Sequence, residues 1–253
     1  MRMMKTALLA AAALALSVHA AAAASIQAAP SDIKISLFYH GAAVEVKGQA
    51  APGEDVLVKV TPSEQHEFHL KYKGKAAGIF WMKLGTLVFE NLPSTYLLAS
   101  SGPVDKVLDA EARTAENAGL DALQKKAVIK AEKGAMPAGD WFGQFLDFKK
   151  KEKLYNVEEG TVKVGADGSY SYTLAWPFQA PPGSYKIEAV TAKNGKVTGH
   201  AETALTVELT GIVALLAKMS ADNRTLYGII SIVVAVAAGF GVGMIFKKGG
   251  GSH

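Results

Sequence analysis

Residues 161–208, TVKVGADGSYSYTLAWPFQAPPGSYKIEAVTAKNGKVTGHAETALTVE, decide the fold. Val162 and Val164 precede Asp167-Gly168, and Tyr170, Tyr172 and Leu174 follow it; Tyr185, Ile187 and Ala189 precede Asn194-Gly195, and Val197 follows. Apolar side chains at every second position put one face of each segment into a core. Asp-Gly and Asn-Gly supply the φ > 0 residues of tight hairpins, so this stretch reads as two antiparallel pairs.

The same punctuation extends towards the N-terminus. Ile33, Ile35 and Leu37 alternate with polar residues, His40-Gly41 interrupts, Val44 and Val46 resume, and Pro52-Gly53 precedes Val56, Val58 and Val60. Further strands are expected at His66 to Tyr72, Gly78 to Met82, Thr86 to Phe89 and Tyr96 to Ser100. With no helical crossovers among these strands, the chain is expected to be mainly β, an immunoglobulin or fibronectin III-like β-sandwich.

Between about 103 and 155 the period changes. Leu120, Leu123, Ala127 and Val128 follow i, i+3, i+7, i+8 spacing, and Trp141, Phe142, Phe145, Leu146 and Phe148 line a second helical stretch ending in Lys149, Lys150 and Lys151. Gly134 to Gly139, with Pro137, reads as the hinge of an inserted helical pair. The aromatic stripe reads as core packing. The three lysines read as a solvated helix end that complements the macrodipole.

Two apolar runs bracket the chain. Ala7 to Ala24, preceded by Arg2 and Lys5 and closed by Ala22-Ala23-Ala24, has the pattern of a cleaved signal peptide over 1–24. Residues 226–246 carry no charge and, at 1.5 Å per residue, reach roughly 30 Å, the thickness of a hydrocarbon core. The expected order is signal peptide 1–24, periplasmic β-sandwich 25–208, juxtamembrane segment 209–225, transmembrane helix 226–246 and cytoplasmic tail 247–253. Lys247 and Lys248 after the span fit the positive-inside tendency, with the N-terminal domain exported and the C-terminus cytoplasmic. Leu209 to Met219 is expected to form a short interfacial helix, with Tyr227 at headgroup level.

Charge and chemistry narrow the function classes. Setting aside Arg2, Lys5, Lys247 and Lys248 leaves 23 basic against 23 acidic residues, so the exported portion is neutral and no nucleic-acid partner is expected. There is no cysteine, which excludes disulfides, thiolate zinc, c-type haem attachment and cysteine nucleophiles. No Gly-x-Ser-x-Gly, Ser-x-x-Lys, Walker, dinucleotide-fingerprint or His-Glu-x-x-His motif occurs, so no catalytic residue is assigned and no cofactor or metal is expected. His66 and His69, three apart on a strand, point to opposite faces and cannot grip one metal. Lys71, Lys73 and Lys75 alternate on one face, where they form a candidate anion-binding row or a charged outer face that discourages edge pairing.

Within the span, Ser231, Ala235, Gly239 and Gly243 recur every four residues. Such a small-residue stripe lets helix backbones approach closely in lipid, which points to an integral membrane partner or to a homo-oligomer through this helix.

Several stretches together resemble one family. They are Ile35-Ser36-Leu37-Phe38-Tyr39-His40-Gly41, Gly53-Glu54-Asp55-Val56-Leu57-Val58-Lys59-Val60, Ala77 to Met82, Phe89 to Ser100, Pro182-Gly183-Ser184-Tyr185 and Leu226-Tyr227-Gly228. The chain resembles the Alph_Pro_TM family of transmembrane proteins first described in alphaproteobacteria. The resemblance implies a functionally uncharacterised periplasmic protein with one C-terminal anchor, and an association with sulfite or sulfonate exporter-like permeases. The expectation is a non-enzymatic accessory or interaction protein serving such a permease or another inner-membrane complex; the alternative is a periplasmic module binding a small anion or metal.

Overall fold

The computed structural model describes residues 24–64, 67–76 and 80–247. The expected signal peptide up to residue 23, His66, the start of the expected strand at Gly78 and the tail after Lys247 lie outside these residues. Both decisive hairpins form as read. β10 (Lys163–Val164) pairs with β11 (Ser169–Trp176) across Asp167-Gly168, and β12 (Gly183–Lys193) pairs with β13 (Lys196–Leu209). The second turn has Asn194 at φ 52° and Gly195 at φ 80°, the left-handed pair that matches strand twist in a two-residue hairpin.

These strands belong to two sheets. With β1 (Ser25–Ala29) and β3 (Ala42–Gln49), one sheet runs β1-β3-β11-β10. With β2 (Asp32–Ile35), β4 (Asp55–Pro62), β7 (Tyr96–Ser100) and β9 (Tyr155–Glu158), the other runs β2-β13-β12-β4-β7-β9. The chain changes sheets between β1 and β2, so that β2 runs parallel to β13. In immunoglobulin lettering this is A-B-E-D against A′-G-F-C-C′, with β9 added at the outer edge beside C′, so the strand order itself makes the fold an immunoglobulin-type sandwich.

The core contains the alternating residues of both sheets. Val44, Val46, Tyr172 and Leu174 lie on one side, and Val56, Val58, Val60, Tyr185, Ile187 and Ala189 on the other, all buried. No disulfide joins the sheets, and aromatic packing occupies the seam instead. Trp176 meets Tyr185 edge to face at 4.7 Å, and Tyr185 Oη donates to the Pro181 carbonyl at 2.6 Å, the tyrosine corner of this fold. Gly48 on β3 is glycine because a Cβ there collides with the Ser25 carbonyl and the Tyr170 ring, whose hydroxyl donates to that carbonyl at 2.6 Å.

The insertion differs from the expected helical pair. Between β7 and β9 the chain forms α1 (Val104–Val107), α2 (Ala110–Ala115), α3 (Leu120–Lys126), β8 (Val128–Ala131) and α4 (Trp141–Lys151). Asn117 at φ 50° and Gly119 at φ 100° end α2 and set off α3, which begins where the first expected helix does. Ala127 is extended, and Val128 and Ile129 pair with Glu90 and Phe89, so the apolar period at 127 and 128 belongs to a strand. The expected strands Gly78 to Met82 and Thr86 to Phe89 are one strand, β6 (Phe80–Glu90), paired with β5 (Phe68–Ala76). The pair's register shifts by one residue beside Leu84, which hides their continuity. Strands β5-β6-β8 make a separate sheet.

Helix α4 holds that sheet to the sandwich edge. Asp140 caps it, accepting from the Gly143 amide at 2.8 Å, and Phe145 stacks on Phe89 at 4.8 Å while meeting Phe68 at 5.4 Å and Tyr155 at 5.6 Å. At one end of the sandwich lie Asn194-Gly195 and the start of α2, joined by Asp109 N donating to the Gly195 carbonyl at 2.8 Å. At the other, β13 ends in register with Ile35, and α5 (Gly211–Asp222) and α6 (Arg224–Lys247) follow at once.

Two substitutions test this seam. Tyr185→Phe leaves the Pro181 carbonyl without its donor and lowers unfolding free energy by about 1 kcal/mol, whereas Trp176→Ala costs about 3–5 kcal/mol. Urea denaturation of the full-length protein in detergent reads both; equal losses would mean that the indole's packing contributes no more than that single hydrogen bond.

Candidate functional site

The 21-residue window Arg224–Met244 of α6 has a mean hydropathy of 2.1, and none of it is buried within the protein. A helix this long and apolar with no protein around it belongs in lipid. Ser231, Ala235, Gly239 and Gly243 all lie on α6, four residues apart and exposed. The Ser231 hydroxyl donates to the Tyr227 carbonyl at 2.8 Å, so its hydrogen is satisfied within the helix. Around Gly239 and Gly243, the side chains of Val236, Phe240 and Met244 wall an open groove of about 560 Å³. A Cβ at either glycine meets nothing within 4 Å, so the notch is free to accept the ridge of another helix.

The lysine row lies elsewhere. Lys71 and Lys73 are exposed on β5, alternating with half-buried Phe68, Leu70 and Tyr72, which face α4. Lys75 follows on the same strand, in register with Trp81. His69 shares the outer face and lies 3.7 Å from Glu67. Lys71 and Lys73 stand on the solvent side of a half-buried strand, so the anion-binding reading gains no cradle from their placement. Among the described residues, no group of three or more His, Asp or Glu is arranged to hold a metal.

Two lysines escaped the sequence reading. Lys149, expected at a solvated helix end, is 3% exposed. It lies four residues after Phe145 and so shares the buried helix face, whereas Lys150 and Lys151 are exposed. Its ammonium donates to the Ser94 carbonyl at 2.8 Å and lies 4.7 Å from the Phe68 ring centre, 5.4 Å from Phe145 and 5.8 Å from Tyr155. Burial brings its pKa down to about 8. Burial also raises the Tyr155 and Tyr96 phenols well above their ordinary range.

Lys59 is buried on the outer face of β4. It pairs with Glu188 at 3.1 Å and donates to the Glu116 carbonyl at 2.8 Å, while His200 lies 3.0 Å from the Glu116 carboxylate. Burial pushes the Glu188 carboxyl up, but hydrogen bonds and charge from Lys186 and Lys59 outweigh it and hold the carboxyl below its usual range. Lys59, Glu116, Lys186 and Glu188 floor a polar cleft of about 450 Å³ beside Tyr96, whose hydroxyl donates to Asn117 O at 2.7 Å and accepts from Gly119 N at 2.8 Å. Their charges answer one another across the cleft, so the network ties the insertion to the sheet. Nothing local in Val58-Lys59-Val60 announces this, because the covering segment is remote in sequence.

A sandwich of this strand order carrying, among the described residues, one helix long and apolar enough to cross a membrane fits a single-pass membrane protein with an immunoglobulin-type head. The chain belongs to the family whose model is described as "Putative transmembrane protein (Alph_Pro_TM)", which matches residues 24–248. Comparison with curated proteins finds no match. Among solved structures, the crystal structure of VCBP3 domain 1 from Branchiostoma floridae is similar at a TM-score of 0.24 and 10% sequence identity, over 75% of this chain and 96% of that chain.

The buried ammonium makes stability depend on pH. A lysine whose pKa is lower folded than unfolded weakens the fold while both forms are protonated, so stability rises as pH climbs through about 8 towards the ordinary lysine range. Between pH 7 and 9, below the point where unfolded tyrosines ionise and reverse the trend, Lys149 adds about 1 kcal/mol. Lys149→Met removes that rise in urea titrations at the two pH values; an unchanged rise would assign it to other groups.

Proposed function

We propose that this protein is a non-enzymatic accessory subunit of the bacterial inner membrane, whose sandwich lies in the periplasm and whose α6 packs against a transmembrane helix of an integral membrane partner. The observation that carries the reading is the groove at Gly239 and Gly243, open along a helix that no part of the described chain covers. In lipid, helices gain little from hydrophobicity and associate through close packing at small residues. The neutral composition of the exported portion and the basic pair after the span support the periplasmic placement. The partner class is a permease, of the sulfite or sulfonate exporter-like kind that the family resemblance implies; a second copy of this chain would use the same groove.

Leucine at position 239 fills the notch without changing the helix's hydrophobic length. Affinity capture of the full-length protein from native membranes in mild detergent is expected to recover an integral membrane protein, and Gly239→Leu to lower that recovery about tenfold, the effect of losing about 1.4 kcal/mol of packing. Equal recovery with both proteins, or capture of the chain alone in each case, would overturn the reading.

A further inference from the structure

The end of the sandwich nearest the anchor presents an apolar patch that the accessory role does not use. Leu37 and Phe38, in the β2–β3 loop, are 63% and 79% exposed, and Phe178, in the β11–β12 loop, is 66% exposed. The two loops form one surface, because Tyr39 stacks on Phe178 at 5.7 Å with the rings 20° from parallel. Three large side chains bared together cost solvation free energy unless something apolar receives them.

Their position identifies the occupant. Ile35 is in register with Leu209, and the Thr210 amide donates to the Ile35 carbonyl at 2.9 Å. Leu37 follows Ile35 by two residues, which span at most about 7 Å, so the loop starts beside the point where the chain leaves the sandwich for its anchor. Helix α5 begins at Gly211 and has no buried residue; Ile212, Leu215 and Leu216 are exposed, and its charges are confined to Lys218 and Asp222. An apolar helix with no fully buried residue, joined directly to a membrane span, suits the bilayer interface. That brings Thr210, and the patch beside it, to headgroup depth.

Charge agrees with this. A cleft of about 520 Å³ next to Phe178 is bordered by His40, Lys150 and Lys153. Its one acidic neighbour, Glu158, accepts from the Tyr172 hydroxyl at 2.8 Å and from the Asn156 amide at 2.7 Å. Basic groups around an apolar tip match an anionic lipid surface.

We infer that Leu37, Phe38 and Phe178 rest in the interface of the bilayer that holds α6, so that the head is seated on the membrane and does not swing free of it. The absence of cysteine makes the test direct. Phe38→Cys, Phe178→Cys and, at the opposite end, Asn194→Cys are each labelled with an environment-sensitive fluorophore in the full-length protein, reconstituted in phosphatidylethanolamine and phosphatidylglycerol vesicles. The substituted side chains are exposed, so the core is untouched. Lipids spin-labelled near the headgroup are expected to quench the probes at 38 and 178 about twofold or more and to leave the probe at 194 unchanged. Aqueous iodide is expected to quench only the probe at 194. Equal iodide quenching at all three sites would overturn the inference. So would probes at 38 and 178 shielded from both quenchers, since a protein surface would then cover the patch.

Discussion

The rest of the structure depends on α6 having no protein to bury it. A 21-residue window of mean hydropathy 2.1, with none of it buried among the described residues, finds its favourable surroundings in lipid. Because Thr210 and α5 connect it directly to β13, the same constraint selects which end of the sandwich faces the membrane. The head is then built to stand at that surface without covalent staples. With no cysteine available, the place of an intersheet disulfide is taken by aliphatic packing around Val44, Val46 and Ile187 and by the Trp176–Tyr185 contact.

What could be read in the sequence follows from how local each interaction is. The two late hairpins were legible because a hairpin is specified by its turn residues and by alternation within about ten positions. The span was legible for a similar reason, since a lipid-facing helix needs only length and apolarity. Strand β9 was not, because its parallel partner β7 lies across the whole insertion and nothing in Tyr155-Asn156-Val157-Glu158 names it. The expected helix over Leu120 to Val128 failed where Val128 and Ile129 pair with β6, since a short apolar run satisfies both periods until its partner is known.

The candidate surfaces divide in the same way. The stripe from Ser231 to Gly243 is a property of one helix, and its four-residue spacing appears unchanged in the structure. Lys59 and Lys149 carry no local mark, because their burial is imposed by segments far away in the chain: Glu116 for the first, Ser94 and Phe68 for the second. The patch of Leu37, Phe38 and Phe178 is likewise assembled from two loops, and the first half of it looked like the continuation of a strand. These three features join the insertion, the small sheet and the membrane end to the sandwich, so the long-range contacts are where the chain departs from a plain immunoglobulin domain.

The account places the head on one side of the bilayer and the tail after α6 on the other. The most direct test uses single cysteines at Asn194 and at Ser252 in the full-length protein, treated with a membrane-impermeant maleimide in spheroplasts and again after lysis. The account predicts labelling at 194 in intact spheroplasts and at 252 only after lysis. Labelling of both sites before lysis, or of 252 alone, would contradict it.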